Sequence, residues 1–465
     1  MAPRYKVLIG IVLFGAFVVT PAVTFLAMYS TDEPPHDDSD LRLTLPDVPD
    51  HLNTYPLLVQ AGEKAYWPKD GTTPVSVAPE GSPDTERLTD SEKLDRMLEG
   101  GPWDAALARQ VLDRNREALA LFEKAMARPH CRFPKVSLMD EMPGFYLCLT
   151  LSRVLVIRSK QEQVDGSPES AFETAITQVR FGDRLARAKG AAAVYWVGRA
   201  VRQMGYGRIQ RLVSEATVPA VRLRDYADRL AALAPAPETS ADALRVDYEA
   251  LAEYLDGLRS GKHDPEEVYG FVTPFLPYAL HVNRTKHLMA DAARTGIDVA
   301  GQPYCEALPA IKACRKGLST TGSASWLPLE FRPNALGMAL YRSVCAQSER
   351  IPETRCHLAV SHAVTQAMLG LKAYKTQHGR LPQTLDDLVP EYLKAVPIDA
   401  FDGKPIRYDP AKRILYSVGK DGADDGGLSH EEWQAWWKRE FPDAVEDASP
   451  PDRNEMPDPS YTIDF

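Results

Sequence analysis

Missing from these 465 residues is every short signature of the common catalysts. No GxSxG, HExxH, GxxxxGK[ST] or GxGxxG occurs, so nucleophile-elbow hydrolases, zincins, P-loop enzymes and dinucleotide-binding enzymes find no support. No CxxC pair occurs either, which removes zinc ribbons and thioredoxin-type sites. No cysteine precedes Cys131, so a lipoprotein anchor is not expected. Positive charge is also in deficit: 54 basic residues face 64 acidic ones, a net of -10. That balance gives no general attraction to nucleic acid, which is excluded as a partner, or to anionic lipid. No fixed period of 34 or 40 residues recurs, so a tetratricopeptide or HEAT solenoid is not indicated.

What is present is ordinary for folded protein, with 44% apolar and 25% charged residues. Proline is the exception at 37 residues, and it gathers near both ends, which should be extended. The start has its own character. Residues 7–29 (VLIGIVLFGAFVVTPAVTFLAMY) carry no charge, and as a helix they would reach about 35 Å, enough to span a bilayer. Arg4 and Lys6 lie before this run, while Asp32, Glu33, Asp37, Asp38 and Asp40 follow it. The expectation is a single-pass anchor in the cytoplasmic (inner) membrane, its partner the lipid bilayer through residues 7–29, with the bulk periplasmic or extracellular. A cleaved signal peptide with residues 7–19 as its apolar part is the competing interpretation.

Six cysteines (Cys131, Cys148, Cys305, Cys314, Cys345 and Cys356) suit an oxidising compartment. Near neighbours in sequence are the natural pairs, Cys305 with Cys314 and Cys345 with Cys356. Buried free thiols are the alternative.

Composition and periodicity divide the chain into five parts: a stub and anchor at 1–30, a proline-rich extended stalk at 31–86, a helical domain at 87–350, a C-terminal module at 351–440 and an acidic proline-rich tail at 441–465. In the stalk, Tyr55, Leu57, Leu58, Val59, Tyr66 and Trp67 can dock on the body. Residues 105–127 place Leu107, Val111, Leu112, Leu119, Leu121 and Phe122 at helical spacing. Residues 144–160, 168–189, 191–215, 219–233 and 240–258 repeat the helical pattern, and further helices are expected at 334–349 and 352–378. The predicted fold is mainly α: a transmembrane helix, an irregular helical array or bundle, and a small α+β module with an antiparallel hairpin at its C-terminal end.

The module carries three motifs in order: a helix ending in "AYKTQHGRLPQTLDDL", the turn "VPIDAFDGKPIRY", and the end "LYSVGKDGADDGG". Alternation of Ile406 with Tyr408 and of Ile414 with Tyr416 indicates two short strands between them. Together these motifs resemble the globular domain of the major pseudopilin of type II secretion, over about 75 residues. The resemblance implies calcium in the loop after the last strand, on Asp421, Asp424 and Asp425, with backbone carbonyls near Leu415 or Ser417. It departs from the family at the start, where residues 3–6 lack the glycine and glutamate that precede a pseudopilin's apolar helix. Polymerisation as a pilin is not expected.

Physical chemistry reaches the same loop. Three carboxylates within five residues, separated by glycines, repel one another unless solvated or neutralised, and a hard cation with oxygen ligands relieves that. Glu432 is a weaker fourth candidate. It falls where the twelfth position of an EF-hand loop would be, but Ala423 fails at the third, and with Ser429 it also forms a capping box ahead of Trp433, Trp436 and Trp437. A solvated Asp and Gly turn is the plain alternative.

His281 with His287 and His357 with His362 are separated by six and five residues, so neither pair shares a helical face. Tyr195, Trp196, Arg199, Arg202 and Tyr206 either line a groove or form a packing stripe with a solvated arginine edge. Two functional classes follow. One is a membrane-anchored envelope protein with a structural or interaction role linked to secretion, binding other envelope proteins. The other is an enzyme, a hydrolase, with its site in the helical domain; a deep pocket of converging acidic and histidine side chains would favour it.

Overall fold

The computed structural model describes residues 20, 31–45, 47–68, 88–135, 144–189, 192–263, 280–320, 334–428, 432, 435, 439 and 458–465. Among them twelve α-helices and three short strands are formed. The helices are α1 Tyr55–Lys64, α2 Asp90–Glu99, α3 Ala105–Arg114, α4 Arg116–Met126, α5 Phe145–Val164 and α6 Pro168–Ala186, then α7 Ala192–Glu215, α8 Ala220–Ala231, α9 Pro237–Ser260, α10 Val282–Asp298, α11 Tyr304–Thr320 and α12 Ala335–His378. The strands are β1 Arg407–Asp409, β2 Ile414–Tyr416 and β3 Ser460–Thr462.

The expected membrane-spanning helix is corrected. Among the described residues no helix is long and apolar enough to cross a membrane, and residues 7–29 lie outside the described residues apart from Thr20. The long helices fail for a plain reason. Charges interrupt α5 at Arg153, Arg158 and Lys160, and α12 at Arg342, Glu349, Arg350 and Arg355, where a span needs about 20 consecutive apolar residues. A single-pass location in the inner membrane, with the bulk periplasmic or extracellular, therefore has no helix among the described residues to carry it.

Local chemistry sets most boundaries. Thr89 and Glu92 form a reciprocal capping box that opens α2, and the Asp104 carboxylate accepts the N–H groups of Ala106 and Leu107 to open α3. Residues 105–127 form two helices where periodicity predicts one. The break is Asn115, fully buried, whose side chain accepts the Tyr66 N–H at 2.8 Å and donates to the carbonyls of Tyr66 and Val111 at 2.9 and 2.8 Å. A long-range contact here outweighs helical continuity. The opposite happens at Pro352, where two expected helices are one. α12 runs 44 residues through the proline, because Cys345, Ile351 and Cys356 on either side of it are buried at 0–1% exposure and their packing offsets one missing backbone hydrogen bond.

The most intimate contact is between α6 and α7. Their backbones touch: a Cβ on Gly182 would lie 2.5 Å from the Gly198 carbonyl, and one on Gly198 would lie 2.5 Å from the Ala186 nitrogen. Backbone cannot retreat as a flexible side chain can. Gly198→Ala is accordingly expected to lose about 1–3 kcal/mol by overpacking, read as a lower urea midpoint at unchanged slope; an unchanged midpoint would refute this account of the crossing.

One apolar core extends from Phe172, Ile176, Tyr206 and Leu212 in α6 and α7, through Val364 and Leu371 in α12, to Phe401, Leu415 and Tyr461. α12 spans the 350/351 division read from the sequence, so its two halves serve both parts. The strands form an antiparallel sheet in the order β1-β2-β3. Tyr408 pairs with Leu415, and Leu415 with Tyr461. The hairpin is thus extended by residues from the last eight of the chain, which composition places in an acidic tail.

Candidate functional site

The turn "DAFDGKP" and the end of β2 are joined by one buried carboxylate. Asp399, 0% exposed, accepts the N–H of Phe401 and of Val418, the hydroxyl of Ser417 and Nη1 of Arg407, each at 3.0 Å. Arg407 also donates to both oxygens of Asp402, at 3.1 and 2.5 Å. Against the cost of its burial, that guanidinium holds the Asp402 carboxyl below its usual value. The hub fixes where the loop after β2 begins.

On that loop Asp421, Asp424 and Asp425 are all exposed. Asp421 accepts the Ala423 N–H at 3.1 Å, and Asp424 accepts the Gly426 N–H at 3.2 Å. The second Asp424 oxygen lies 3.5 Å from Nε of Arg407. Lys412 donates to the carbonyls of Gly426 and Gly427 at 3.2 and 2.8 Å. Glu432 stands 3.9 Å from Nζ of Lys412, while Ser429 and the three tryptophans after it lie outside the described residues. Gly427 is obligatory: its φ is +61°, and a Cβ would meet the Tyr416 ring at 2.7 Å. Among the described residues no three His, Cys, Asp or Glu side chains are already grouped to hold a metal ion.

Sequence reasoning missed the residue that closes this loop. Asp458, 0% exposed, accepts the N–H groups of Asp425 and Gly427 on Oδ2, at 2.8 and 3.0 Å. Its Oδ1 is buried and has no hydrogen-bond partner. Burial raises its carboxyl above the usual range, and the neighbouring charges of Asp425 and Asp424 add to that. The available signal was the run "SYTI" after Pro459, whose aromatic and β-branched residues mark a strand and so return Asp458 to the fold.

Two clefts are lined by other residues. A groove of about 520 Å³ is bordered by Arg132, Lys135, Lys189, Asp47, Asp50 and Glu249, three cations against three carboxylates. Lys135 is bound to Glu249 at 2.9 Å and Lys189 to Asp242 at 2.7 Å. Among the described residues no histidine lines it. A second cleft of about 550 Å³ lies between α7, α12 and β3, beside Arg211, Met368 and Tyr461.

The histidines are dispersed. His287 stacks on His36 with ring centroids 5.0 Å apart, His357 packs edge-on to Phe401, and His362 meets Tyr206. Of the two readings of the aromatic and arginine stretch on α7, packing holds for Tyr195, Arg202 and Tyr206, at 5%, 1% and 0% exposure, and Arg202 is core where a solvated edge was expected. Arg202 donates to Asp183 Oδ1 at 3.2 Å, to the Tyr206 hydroxyl at 3.0 Å and to the Leu233 carbonyl. The Tyr206 hydroxyl in turn meets Nδ1 of His362 at 3.2 Å.

The expected cysteine pairs are corrected too. Cys305 and Cys314 lie nine residues apart on α11, and Cys345 and Cys356 eleven apart on α12. At 1.5 Å per residue these separations are about 14 and 17 Å, beyond any disulfide.

Comparison with family models, with curated proteins and with solved structures gives no match.

Proposed function

We propose that this chain is a structural or interaction protein, a helical scaffold whose C-terminal part is a pseudopilin-like module stabilised by calcium, and that its partners are proteins of a secretion or envelope assembly. The three ordered motifs support the module, as does a three-stranded antiparallel sheet packed against the second half of a long helix. The observation that carries the calcium reading is Asp458 Oδ1, a buried carboxylate oxygen without a partner beside Asp424 and Asp425. An orphaned anionic oxygen is costly in the interior and suits an oxygen-seeking cation. Asp421, Asp424, Asp425 and Asp458 would hold the ion, which would supply charge neutralisation and no reaction chemistry. Arg407 and Lys412 already offset part of the loop's charge, so the affinity expected is weak, about 10⁻⁴ to 10⁻³ M as in extracellular modules.

Calorimetry of the full chain tests this. At 5 mM calcium the linkage relation gives about 1–2 kcal/mol of stabilisation, seen as a rise in melting temperature that Asp425→Asn and Asp458→Asn each remove. An unshifted wild-type melt at that concentration would sink the calcium reading. The scaffold reading is tested by crosslinking in cells with identification of neighbours; recovery of the chain alone, without partners, counts against it.

A further inference from the structure

We propose that Cys314 and Cys345 form a disulfide that staples α11 to α12, made by exchange with a small-molecule disulfide and reversed by thiols. Their sulfurs lie 3.2 Å apart across the two helices, so closing the bond needs a movement of only about 1 Å. Cys345 is 0% exposed while Cys314 is half-buried, which leaves one sulfur open to an incoming reagent and the other behind it. The Tyr341 phenol lies beside both sulfurs.

The place of this pair in the fold gives it a consequence. α11 is already held at its first turn by the C-terminal module: the N–H groups of Tyr304 and Cys305 donate to the carbonyls of Ala400 and Phe401 at 3.1 and 2.9 Å. Its later half carries Cys314. A bond there fixes α11 at two points, once to the module and once to the first half of the helix from which the module extends.

The chemistry is ordinary exchange. Cys314 is the better nucleophile, because the hydrogen bond from the Cys345 thiol lowers its pKa from the usual thiol value while Cys345 moves up. The Cys314 thiolate attacks one sulfur of oxidised glutathione, breaking that S–S bond and releasing one glutathione thiolate. Cys345 then loses its proton and attacks the Cys314 sulfur, displacing the second glutathione. Two protein thiols are oxidised, one glutathione disulfide is reduced to two thiols, and the two protons pass to the departing thiolates. The remaining cysteines are poorer candidates: burial raises the Cys131 thiol to about 12 and the Cys356 thiol to about 11.

The test uses the full chain, equilibrated with oxidised and reduced glutathione in graded ratio, quenched with N-ethylmaleimide and mapped by mass spectrometry without reduction. The expected result is a linked species joining tryptic peptide 313–315 to peptide 343–350, lost on reduction and accompanied by a rise of a few degrees in melting temperature. Cys345→Ser is expected to lose both, and Cys356→Ser to keep both. Maleimide on both Cys314 and Cys345 after full oxidation overturns the proposal, as does linkage of either to another cysteine. A linked species that melts with the reduced chain overturns the staple. Should Cys345→Ser fail to fold, the wild-type map and melt decide alone.

Discussion

Arg202→Met is expected to cost about 2–4 kcal/mol at pH 7.5, through the loss of a buried charged donor. The methionine keeps most of the apolar stem and removes the guanidinium. What is left is a Leu233 carbonyl and a Tyr206 hydroxyl that have lost that donor in a dry interior, and each such group costs about 1–3 kcal/mol. Asp183 suffers less, since Arg187 still donates to it at 3.0 Å; that places the total below the cost of stranding a buried charge entirely. The contrast is Arg187→Ala. Its side chain is 49% exposed and its pair is a surface one along a helix, so about 0–1 kcal/mol is expected. Urea unfolding followed by helical circular dichroism measures both. Equal losses for the two arginines would mean that Arg202 does not act as the hub of a buried network.

Arg202 also marks where sequence stops being informative. The helices were legible because their apolar residues recur at 3.6-residue spacing, and α6, α8 and α9 follow the predicted segments closely. An arginine on such a stripe reads as a solvated edge unless its partners are known, and two of these, Asp183 and Leu233, come from other parts of the fold. Asn115 and Pro352 fail in opposite directions for one reason: a distant contact, Tyr66 in one case and the packing around α12 in the other, overrides local preference. The cysteines repeat the lesson, since closeness along a helix keeps side chains apart while Cys314 and Cys345, 31 residues apart, meet. The aspartate loop was visible in composition. Its buried fourth carboxylate was not, because 33 residues separate Asp425 from Asp458 and only the pairing of β3 with β2 brings them together.

The same network should make the fold acid-sensitive through His362. Burial, with the Arg202 charge beside it, drops its pKa from 6.5 to about 3, so the imidazole is neutral in the fold, with Nδ1 in hydrogen-bond contact with the Tyr206 hydroxyl at 3.2 Å. The sign follows from proton uptake. Between pH 6.5 and about 3 the unfolded chain binds a proton at this position and the folded chain does not, so stability is complete above 6.5 and falls as pH drops through that window. The slope is about 1.4 kcal/mol per pH unit, amounting to on the order of 3 kcal/mol by about pH 4.5. Asp247 acts oppositely: burial raises it from 3.8 to about 6, so between those values the folded chain binds the extra proton and gains stability on acidification. The contribution of His362 is therefore the difference between wild type and His362→Gln, which leaves Asp247 and every other group in place and still offers Tyr206 an acceptor. That difference should shrink steadily from about pH 7 to about pH 4.5, with the wild type losing its advantage and then falling below the variant if the glutamine packs well. In the Arg202→Met background one of the two causes of the depression is gone. The folded-state value then moves back toward the ordinary one, the window narrows and the total loss is smaller. Parallel profiles for wild type and His362→Gln would show that His362 titrates alike in the folded and unfolded chain, and would separate the buried hydrogen bond from any pH dependence of the fold.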